Sequence, residues 1–225
     1  MQRLRALAKL TLSLRVTGVR DDGYHLIDAE MVTLDLADEL VMLEGTIDLP
    51  PDNLVCRALV AVGRDAHVEL TKRIPSGAGL GGGSADAAAV LRWAGCDDLD
   101  VAVALGADVP FCLVGGRARV RGIGDVVEPL PFEARTFTLL SPPFPVPTPA
   151  VYAAWDSLGG PTSDGPNDLE PAALVVEPQL AEWRDRLGNA TGAVPVLAGS
   201  GATWFVEGAF PEVPGVVVAA TDRPT

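Results

Sequence analysis

The feature that most constrains this chain is a glycine-rich segment, residues 74–93, which reads IPSGAGLGGGSADAAAVLRW. A strand-like stretch, residues 67–74, leads into it with apolar residues at even spacing. An alanine-rich stretch, residues 84–93, follows and favours a helix. A glycine loop that opens a helix exposes backbone N–H donors at the positive end of the helix dipole, and both suit a phosphate group. The segment therefore predicts a phosphate-binding loop between a strand and a helix.

Known phosphate-binding loops differ in what surrounds their glycines. A P-loop requires a lysine after the last glycine, but here Gly83 is followed by Ser84. A Rossmann interpretation can use Gly77, Gly79 and Gly82, but this short pattern is weak, and the preceding chain indicates hairpins rather than βαβ units. The HRD and DFG motifs of protein kinases do not occur in the sequence.

Composition narrows the classes of partner. The 225 residues are 48% hydrophobic, enough for one large domain or two small ones. The net charge of −13 argues against general nucleic-acid binding. The sequence has no run of about twenty apolar residues that would predict a membrane span, and its three cysteines lack metal-ligand spacing and indicate free thiols. We therefore expect a cytoplasmic protein that binds neither nucleic acid nor a membrane.

Several single residues outside the loop are candidates for chemistry. Lys9 and Lys72 are the only lysines among 17 basic residues, and Lys9 lies in an apolar strand-like stretch, where it either snorkels at a sheet edge or serves a site. Asp108 has apolar neighbours, so it needs a partner or a function, unless it caps a helix or turn. Tyr24 and His25 follow a turn: they are either surface residues or a base-binding pair, with a π-face and an imidazole donor and acceptor.

Four blocks of the sequence, in order, resemble the GHMP family of small-molecule kinases. These blocks are Lys9 with Gly23–His25, Pro75–Ala88, Gly106–Pro110 and Gly199–Ala202. Within that family, Ala-Lys-Leu-x-Leu-x-Leu, Asp-Gly-Tyr-His and Asp-x-Ala-Asp-Glu-Leu are similar to the 4-diphosphocytidyl-2-C-methyl-D-erythritol kinases of the non-mevalonate isoprenoid pathway. The resemblance extends over nearly the whole chain.

The resemblance implies an α+β fold of two lobes, the GHMP kinase fold. Residues 1–130 would form an ATP-binding N-terminal lobe like domain 2 of ribosomal protein S5. Residues 131–225 would form a ferredoxin-like C-terminal lobe that carries the Gly199–Ala202 motif. The substrate would bind in the cleft between the two lobes.

The resemblance also implies an activity, ATP-dependent phosphorylation of the 2-hydroxyl of 4-diphosphocytidyl-2-C-methyl-D-erythritol. Asp108 would be the catalytic base, and Lys9 beside it would stabilise its charged form. The implied ligands are ATP, Mg²⁺, for which Ser84 is a candidate ligand, and a diphosphocytidyl polyol. We expect a monomer or a weak homodimer.

The remaining implied site residues fall into three groups. The ATP-binding group is Pro75, Gly77, Gly79, Leu80, Gly81, Gly82, Gly83, Ser84 and Ala85. The substrate-binding group is Tyr24, His25, Thr148 and Tyr152. The supporting glycine motif is Gly199, Ser200 and Gly201.

Three positions depart from the family pattern, namely Thr11, Ala85 and Asp86. They leave two alternatives open: a catalytically weak nucleotide-binding homologue, or a GHMP kinase for another small alcohol. Asp86 would add negative charge to a phosphate loop, and we expect it to point away as a first-turn acid that suits the helix dipole. Ser84 is expected to cap the helix that follows the loop.

Overall fold

The structure, a computed structural model, describes residues 1–223 and contains both strands and helices. The strands are β1 (Gln2–Val19), β2 (His25–Leu43), β3 (His67–Thr71), β4 (Arg117–Gly122), β5 (Val126–Pro129), β6 (Thr136–Leu140), β7 (Val196–Leu197), β8 (Trp204–Glu207) and β9 (Val216–Ala220). The helices are α1 (Leu54–Ala61), α2 (Gly82–Ala94), α3 (Leu99–Leu105), α4 (Val109–Val114), α5 (Thr148–Ser157), α6 (Glu170–Val176) and α7 (Leu180–Thr191).

The first sheet is built on the long antiparallel pair of β1 and β2. Its order is β1-β2-β4-β5, and β3 pairs with the far end of β2. The register of β1 against β2 shifts at three places, one of them between Leu7 and Lys9. Such irregularities bend and re-aim a strand. Residues 6–11 of β1 are buried on both faces, polar residues included.

Helix α2 covers this sheet and lies against β1, α1 and α4. Leu91 and four of its alanines are buried, namely Ala85, Ala87, Ala88 and Ala89, and Leu80 just before the helix is 1% exposed. Small side chains let the helix approach the sheet closely, so the glycine loop before α2 lies directly over β1. The helix ends at Gly95, whose φ of +73° allows its N–H to bond back to Leu91 and Arg92.

The second sheet, in the order β7-β8-β6-β9, is antiparallel and follows in sequence after residue 135. Helices α5, α6 and α7 all lie in the chain between β6 and β7. The two sheets are linked where Thr203 donates to the Ala78 carbonyl at 3.1 Å and where Leu34 forms a bridge with Thr221. The predicted α+β class is confirmed. The lobe boundary between residues 130 and 131 stays a prediction.

Candidate active site

Lys9 and Asp108, which are 99 positions apart in sequence, face each other in the structure. The Lys9 ammonium lies 3.4 Å from the Asp108 carboxylate and 3.2 Å from the Thr11 hydroxyl, and Lys9 is only 5% exposed. Lys9 therefore does not snorkel at a sheet edge. Asp108 occupies the N-cap position of α4 but makes no capping bond with its side chain, which keeps 35% exposure. A carboxylate that is not used for capping remains available for chemistry.

The glycine loop holds Lys9 in place by direct packing. The Lys9 backbone N–H donates to the Leu80 carbonyl at 3.0 Å. Gly81 has a φ of +68°, and a Cβ atom there would lie 2.7 Å from the Lys9 Cγ. Only glycine adopts this conformation without strain and leaves room for the lysine stem. The loop and the lysine are thus one packed unit.

Helix α2 begins earlier than the alanine pattern predicts. Its N-cap is Gly81, which has no side chain to cap the helix, and Ser84 is already in the first turn. The expectation that Ser84 caps the helix is therefore wrong, because the glycines themselves enter the helix. An N-terminus without a side-chain cap leaves its first N–H groups free for a ligand.

Three adjoining cavities contain most of the predicted site residues. The loop cavity, about 480 Å³, is lined by all residues from 75 to 84 together with Lys72 and Asp86. The central cavity, about 240 Å³, is lined by Lys9, Asp108, His25, Tyr152, Ser200 and others. The outer cavity, about 500 Å³, is lined by Tyr24, His25, Tyr152 and Asp156 among others.

The three cavities are neighbours that share lining residues. Gly79 and Ser84 line both the loop cavity and the central cavity. His25, Thr148 and Tyr152 line both the central cavity and the outer cavity. The pair of Lys9 and Asp108 thus lies between the glycine loop on one side and the aromatic side chains of the outer cavity on the other. This is the order that phosphoryl transfer between two bound molecules needs.

The predicted base-binding residues come together at the outer end. The His25 ring lies 4.5 Å from the Tyr152 ring, centroid to centroid, at an interplanar angle of 31°. Burial raises the pKa of Tyr152 to about 12, so its hydroxyl stays protonated. Tyr24 is 60% exposed and lines the same cavity, so its ring is free to meet a ligand.

The supporting motif Gly199, Ser200 and Gly201, called the third glycine motif below, packs against the glycine loop. A Cβ atom on Gly79 would lie 2.5 Å from the Ala198 carbonyl oxygen and 2.7 Å from that of Gly201. Buried Asn167 holds this segment, since its amide donates to the Leu197 and Gly199 carbonyls at 2.9 and 2.7 Å.

Not every predicted residue lines a cavity, although the third motif contributes to the central one. Gly199 and Ser200 line the central cavity, and the Ser200 hydroxyl bonds that of Thr148 at 2.8 Å. Ala85 is buried inside α2, and Gly201 packs against Leu197; neither is among the residues that line these cavities. Their part in a site is to allow close packing.

Asp86 does not point away from the glycine loop, contrary to the expectation for a first-turn acid, but lines the loop cavity. It is 3% exposed, and one carboxylate oxygen accepts from the Lys72 ammonium at 2.6 Å. The other oxygen, Oδ1, is buried without a hydrogen-bond partner among residues 1–223. Because α2 begins at Gly82, Asp86 lies one turn inside the helix and faces the interior. Burial raises its pKa to about 7, although Lys72 opposes that shift.

Lys72 and Asp38 form a charged cluster with Asp86 beside the glycine loop. The sequence motifs did not predict this cluster. Fully buried Asp38 accepts from Lys72 and from the backbone N–H groups of Arg73 and Ile74, which fixes the chain just before Pro75. Burial works against the charge on Lys72, but the two carboxylates raise its pKa on balance. The scarcity of lysine was the only sequence signal for this residue.

One cysteine near the site is not a candidate nucleophile. Burial, with a contribution from nearby Asp108, raises the pKa of the Cys112 thiol to about 12, so this thiol stays protonated.

Among residues 1–223, none of the helices has the length and apolar character that crossing a membrane requires.

Comparison with known proteins agrees with this geometry. Residues 53–116 match the family model described as the GHMP kinases N-terminal domain. A 4-diphosphocytidyl-2-C-methyl-D-erythritol kinase from Paracoccus denitrificans is 38% identical over an alignment that covers 91% of this chain and 86% of that protein. The corresponding kinase from Ruegeria pomeroyi is 39% identical, over 92% of this chain and 88% of that protein.

Solved structures extend the comparison to the fold. A crystal structure of 4-(cytidine 5′-diphospho)-2C-methyl-D-erythritol kinase matches with a TM-score of 0.80 and 31% identity, over 97% of this chain and 98% of that one. A mevalonate kinase matches with a TM-score of 0.63 at 11% identity, over all of both chains, which shows a shared fold alone. The two-lobed GHMP fold is thereby confirmed, and the chain belongs to the 4-diphosphocytidyl-2-C-methyl-D-erythritol kinase family of GHMP kinases.

Proposed function

We propose that this chain transfers the γ-phosphoryl group of ATP to the 2-hydroxyl of 4-diphosphocytidyl-2-C-methyl-D-erythritol, a step in the non-mevalonate route to isoprenoid precursors. The observation that carries this proposal is the pairing of Lys9 and Asp108 at 3.4 Å between the loop cavity and the outer cavity. The names and similarity of the relatives support the substrate.

In this reaction Asp108 accepts the proton of the attacking hydroxyl. Its carboxylate is partly exposed to the central cavity and makes no capping bond, so a substrate hydroxyl can reach it. The adjacent Lys9 ammonium favours the charged carboxylate over the protonated one. A general base in this position contributes about 10²–10⁴-fold to the rate.

The glycine loop and the N-terminus of α2 hold the phosphates of ATP. Phosphoryl transfer depends mainly on positioning and on neutralising charge. The uncapped N–H groups after Gly81 and the Lys72 ammonium line the loop cavity and supply donors and positive charge. The γ-phosphoryl group would then extend into the adjoining central cavity, toward Asp108.

Mg²⁺ fits this site as a partner of the nucleotide rather than as a metal held by the protein alone. Residues 1–223 contain no cluster of three acidic, histidine or cysteine ligands suited to a metal. Mg²⁺ commonly combines few protein ligands with substrate phosphates, and the Ser84 hydroxyl lies where the loop and central cavities meet. Bound there, Mg²⁺ would neutralise charge on the phosphates.

The outer cavity would take the cytosine base. Tyr24 and Tyr152 offer aromatic faces, and His25 offers a hydrogen bond from the ring that lies against Tyr152. Thr148 connects this end to the third glycine motif through Ser200. These residues would set the affinity for the diphosphocytidyl part of the substrate.

A coupled ADP-release assay with 4-diphosphocytidyl-2-C-methyl-D-erythritol tests the proposal. We expect Asp108→Asn to lower kcat by about 10²–10⁴-fold, because the general base is lost, while calorimetry shows ATP binding retained. Exposed Asp97 provides the matched control, and Asp97→Asn should behave like the wild type. Near-normal turnover by Asp108→Asn would refute the role of the base.

The same measurements separate the alternatives. ATP binding by the wild type without turnover of this substrate would indicate a weak nucleotide-binding homologue. Failure to bind CDP in calorimetry would indicate a kinase for a different alcohol.

We place this activity in the cytoplasm and expect a monomer or weak homodimer. The three cysteines are free, which is typical of a reducing compartment. Light scattering across a concentration series would test the oligomeric state.

A further inference from the structure

His25 makes a hydrogen bond that neither its motif nor its proposed contact with the base explains. Its Nε2 atom lies 2.8 Å from a carboxylate oxygen of Asp156, which is 131 positions away in sequence. An ionised carboxylate only accepts hydrogen bonds, so Nε2 must carry the hydrogen. In the neutral ring the other nitrogen, Nδ1, is then an acceptor.

The helix that carries Asp156 also fixes the orientation of the imidazole. Tyr152, Trp155 and Asp156 lie at i, i+3 and i+4 of α5, which places them on one face of the helix. Tyr152 covers a face of the His25 ring, and Trp155 meets it edge-on at 5.6 Å between centroids. The Trp155 indole is held in turn by the Pro161 carbonyl at 2.9 Å. The His25 side chain is only 10% exposed.

The second nitrogen of His25 remains available for a ligand. Nδ1 accepts a hydrogen bond from no donor among residues 1–223, and the ring lines both the central and the outer cavity. A ligand that enters these cavities can therefore donate a hydrogen bond to Nδ1, because Asp156 holds the hydrogen of the ring on Nε2.

We propose that Asp156 is a positioning residue that holds His25 in the Nε2–H tautomer, so that Nδ1 accepts a hydrogen bond from an exocyclic amino group and selects cytosine over uracil. The proposal rests on the proposed function, since it concerns the base of that substrate. Cytosine carries an amino donor where uracil carries a carbonyl acceptor. An acceptor on the protein forms a hydrogen bond with the amino group of cytosine and repels the carbonyl oxygen of uracil.

The second histidine of the chain provides an internal reference. The sequence contains only His25 and His67. In His67 it is Nδ1 that lies 3.0 Å from a carboxylate oxygen, that of Asp48. The same argument assigns His67 the opposite tautomer, with the hydrogen on Nδ1. Two histidines with opposite tautomers give distinguishable ¹⁵N spectra.

The first test is ¹⁵N NMR of the full chain with labelled histidine, recorded at about pH 8.5, above the ordinary titration range of imidazole. His67→Gln assigns the two rings. We expect the hydrogen of His25 on Nε2 in the wild type and in Asp156→Asn, whose amide oxygen still accepts it. Asp156→Ala should weaken this bias to the intrinsic preference of the free ring, and Asp48→Ala should change His67 alone. A wild-type His25 with its hydrogen on Nδ1 would overturn the proposal.

The second test compares kcat/KM for the cytidine substrate and for its uridine counterpart. We expect Asp156→Ala to reduce the preference for the cytidine compound by about 10- to 100-fold, the effect of one unmade hydrogen bond in a largely buried site. Asp156→Asn and Asp48→Ala should keep the preference. Equal loss on both substrates, or an unchanged preference in Asp156→Ala, would mean that Asp156 is merely structural.

Failure of the proposed function would be visible separately. If the wild type phosphorylates neither compound, the proposed reaction is wrong, while the tautomer measurement keeps its meaning. The preference is then measured as the ratio of CDP to UDP affinity by calorimetry in the wild type and in Asp156→Ala. An equal ratio in the two proteins would overturn the inference on its own.

Discussion

At the scale of single residues, the two lysines of this chain occupy contrasting environments. Lys9 faces one carboxylate, Asp108, which keeps contact with the central cavity. Lys72 is shared by Asp38 and Asp86, both almost fully buried, at the edge of the loop cavity. The first pair leaves its carboxylate available to substrate, whereas the second uses its charges to hold the entry of the loop. The same pairing of charges therefore serves two purposes.

The buried carboxylate of Asp86 predicts a specific dependence of stability on pH. Its pKa is about 7 in the folded chain against an ordinary value of 3.8. Between those values the folded state binds more protons than the unfolded state, so this residue's contribution to stability falls as pH rises. The amide side chain of the Asp86→Asn variant does not titrate. We therefore expect the variant to gain stability relative to the wild type as the pH rises from about 4 to about 7, by about 1.4 kcal/mol for each unit by which the two pKa values differ.

Urea unfolding at several pH values measures this difference. Exposed Asp97 on the protein surface provides the control, and Asp97→Asn should run parallel to the wild type. If the Asp86→Asn curve also runs parallel to the wild type, the carboxylate is ionised throughout the range and its pairing with Lys72 outweighs burial.

At the scale of elements, the junction of the glycine loop and α2 combines two constraints that a helix pattern does not reveal. Gly81 needs a positive φ to turn the chain into the helix, and it must lack a side chain to admit the stem of Lys9. Gly95, at the other end of the same helix, needs the positive φ alone, with nothing within 4 Å of a Cβ atom. Comparing these two positions therefore distinguishes the effect of backbone strain from the effect of steric contact.

Replacing each of these glycines with alanine tests which constraint matters for activity. Gly95→Ala should lose about 1–2 kcal/mol of stability, the cost of the left-handed conformation for a residue with a Cβ atom, and keep its kcat. Gly81→Ala should lose more stability and also kcat, because its Cβ would displace Lys9 from Asp108. Thermal unfolding and the ADP-release assay measure both quantities. Equal kcat in the two variants would show that the loop yields without moving the lysine.

At the scale of the whole molecule, the glycine loop is held from both sheets. β1 lies beneath it, and the segment after β7 packs against it from the second sheet, with the Ala198 and Gly201 carbonyls next to Gly79. Contact through backbone atoms alone leaves no flexible side chain that could move aside. The distance between the two sheets at this point therefore depends on how closely the two glycine segments approach each other.

Gly79→Ala is expected to push these two segments apart. Its Cβ would lie 2.5 Å from a carbonyl oxygen, so backbone must shift in addition to the strain of a positive φ. We expect a greater loss of stability than in Gly95→Ala and a raised KM for ATP, measured by unfolding and by steady-state kinetics. A KM equal to that of Gly95→Ala would mean that the loop binds ATP independently of the second sheet.

Much of the fold and of the site could be predicted from the sequence, because the residues with the clearest local patterns are also the residues that form the site. The glycine loop, the α+β class and the family could all be recognised, and Lys9 and Asp108 do face each other. The start of α2 was predicted too late, and Asp86 was expected to point away from the loop. Both errors arose because the glycines were assigned wholly to the loop, which shifted Asp86 from the second turn of the helix to its first.

The sequence by itself determined which residue types the site contains, since a phosphate loop, an ammonium and a carboxylate each need a particular local pattern. Only the tertiary structure decided which groups share a charge or a hydrogen bond. The partners of Lys72 and His25 come from segments 34 and 131 residues away, and no local pattern encodes such a distance. The pairing of β3 with β2 brings Lys72 to Asp38, and the contact of α5 with the start of β2 brings Asp156 to His25.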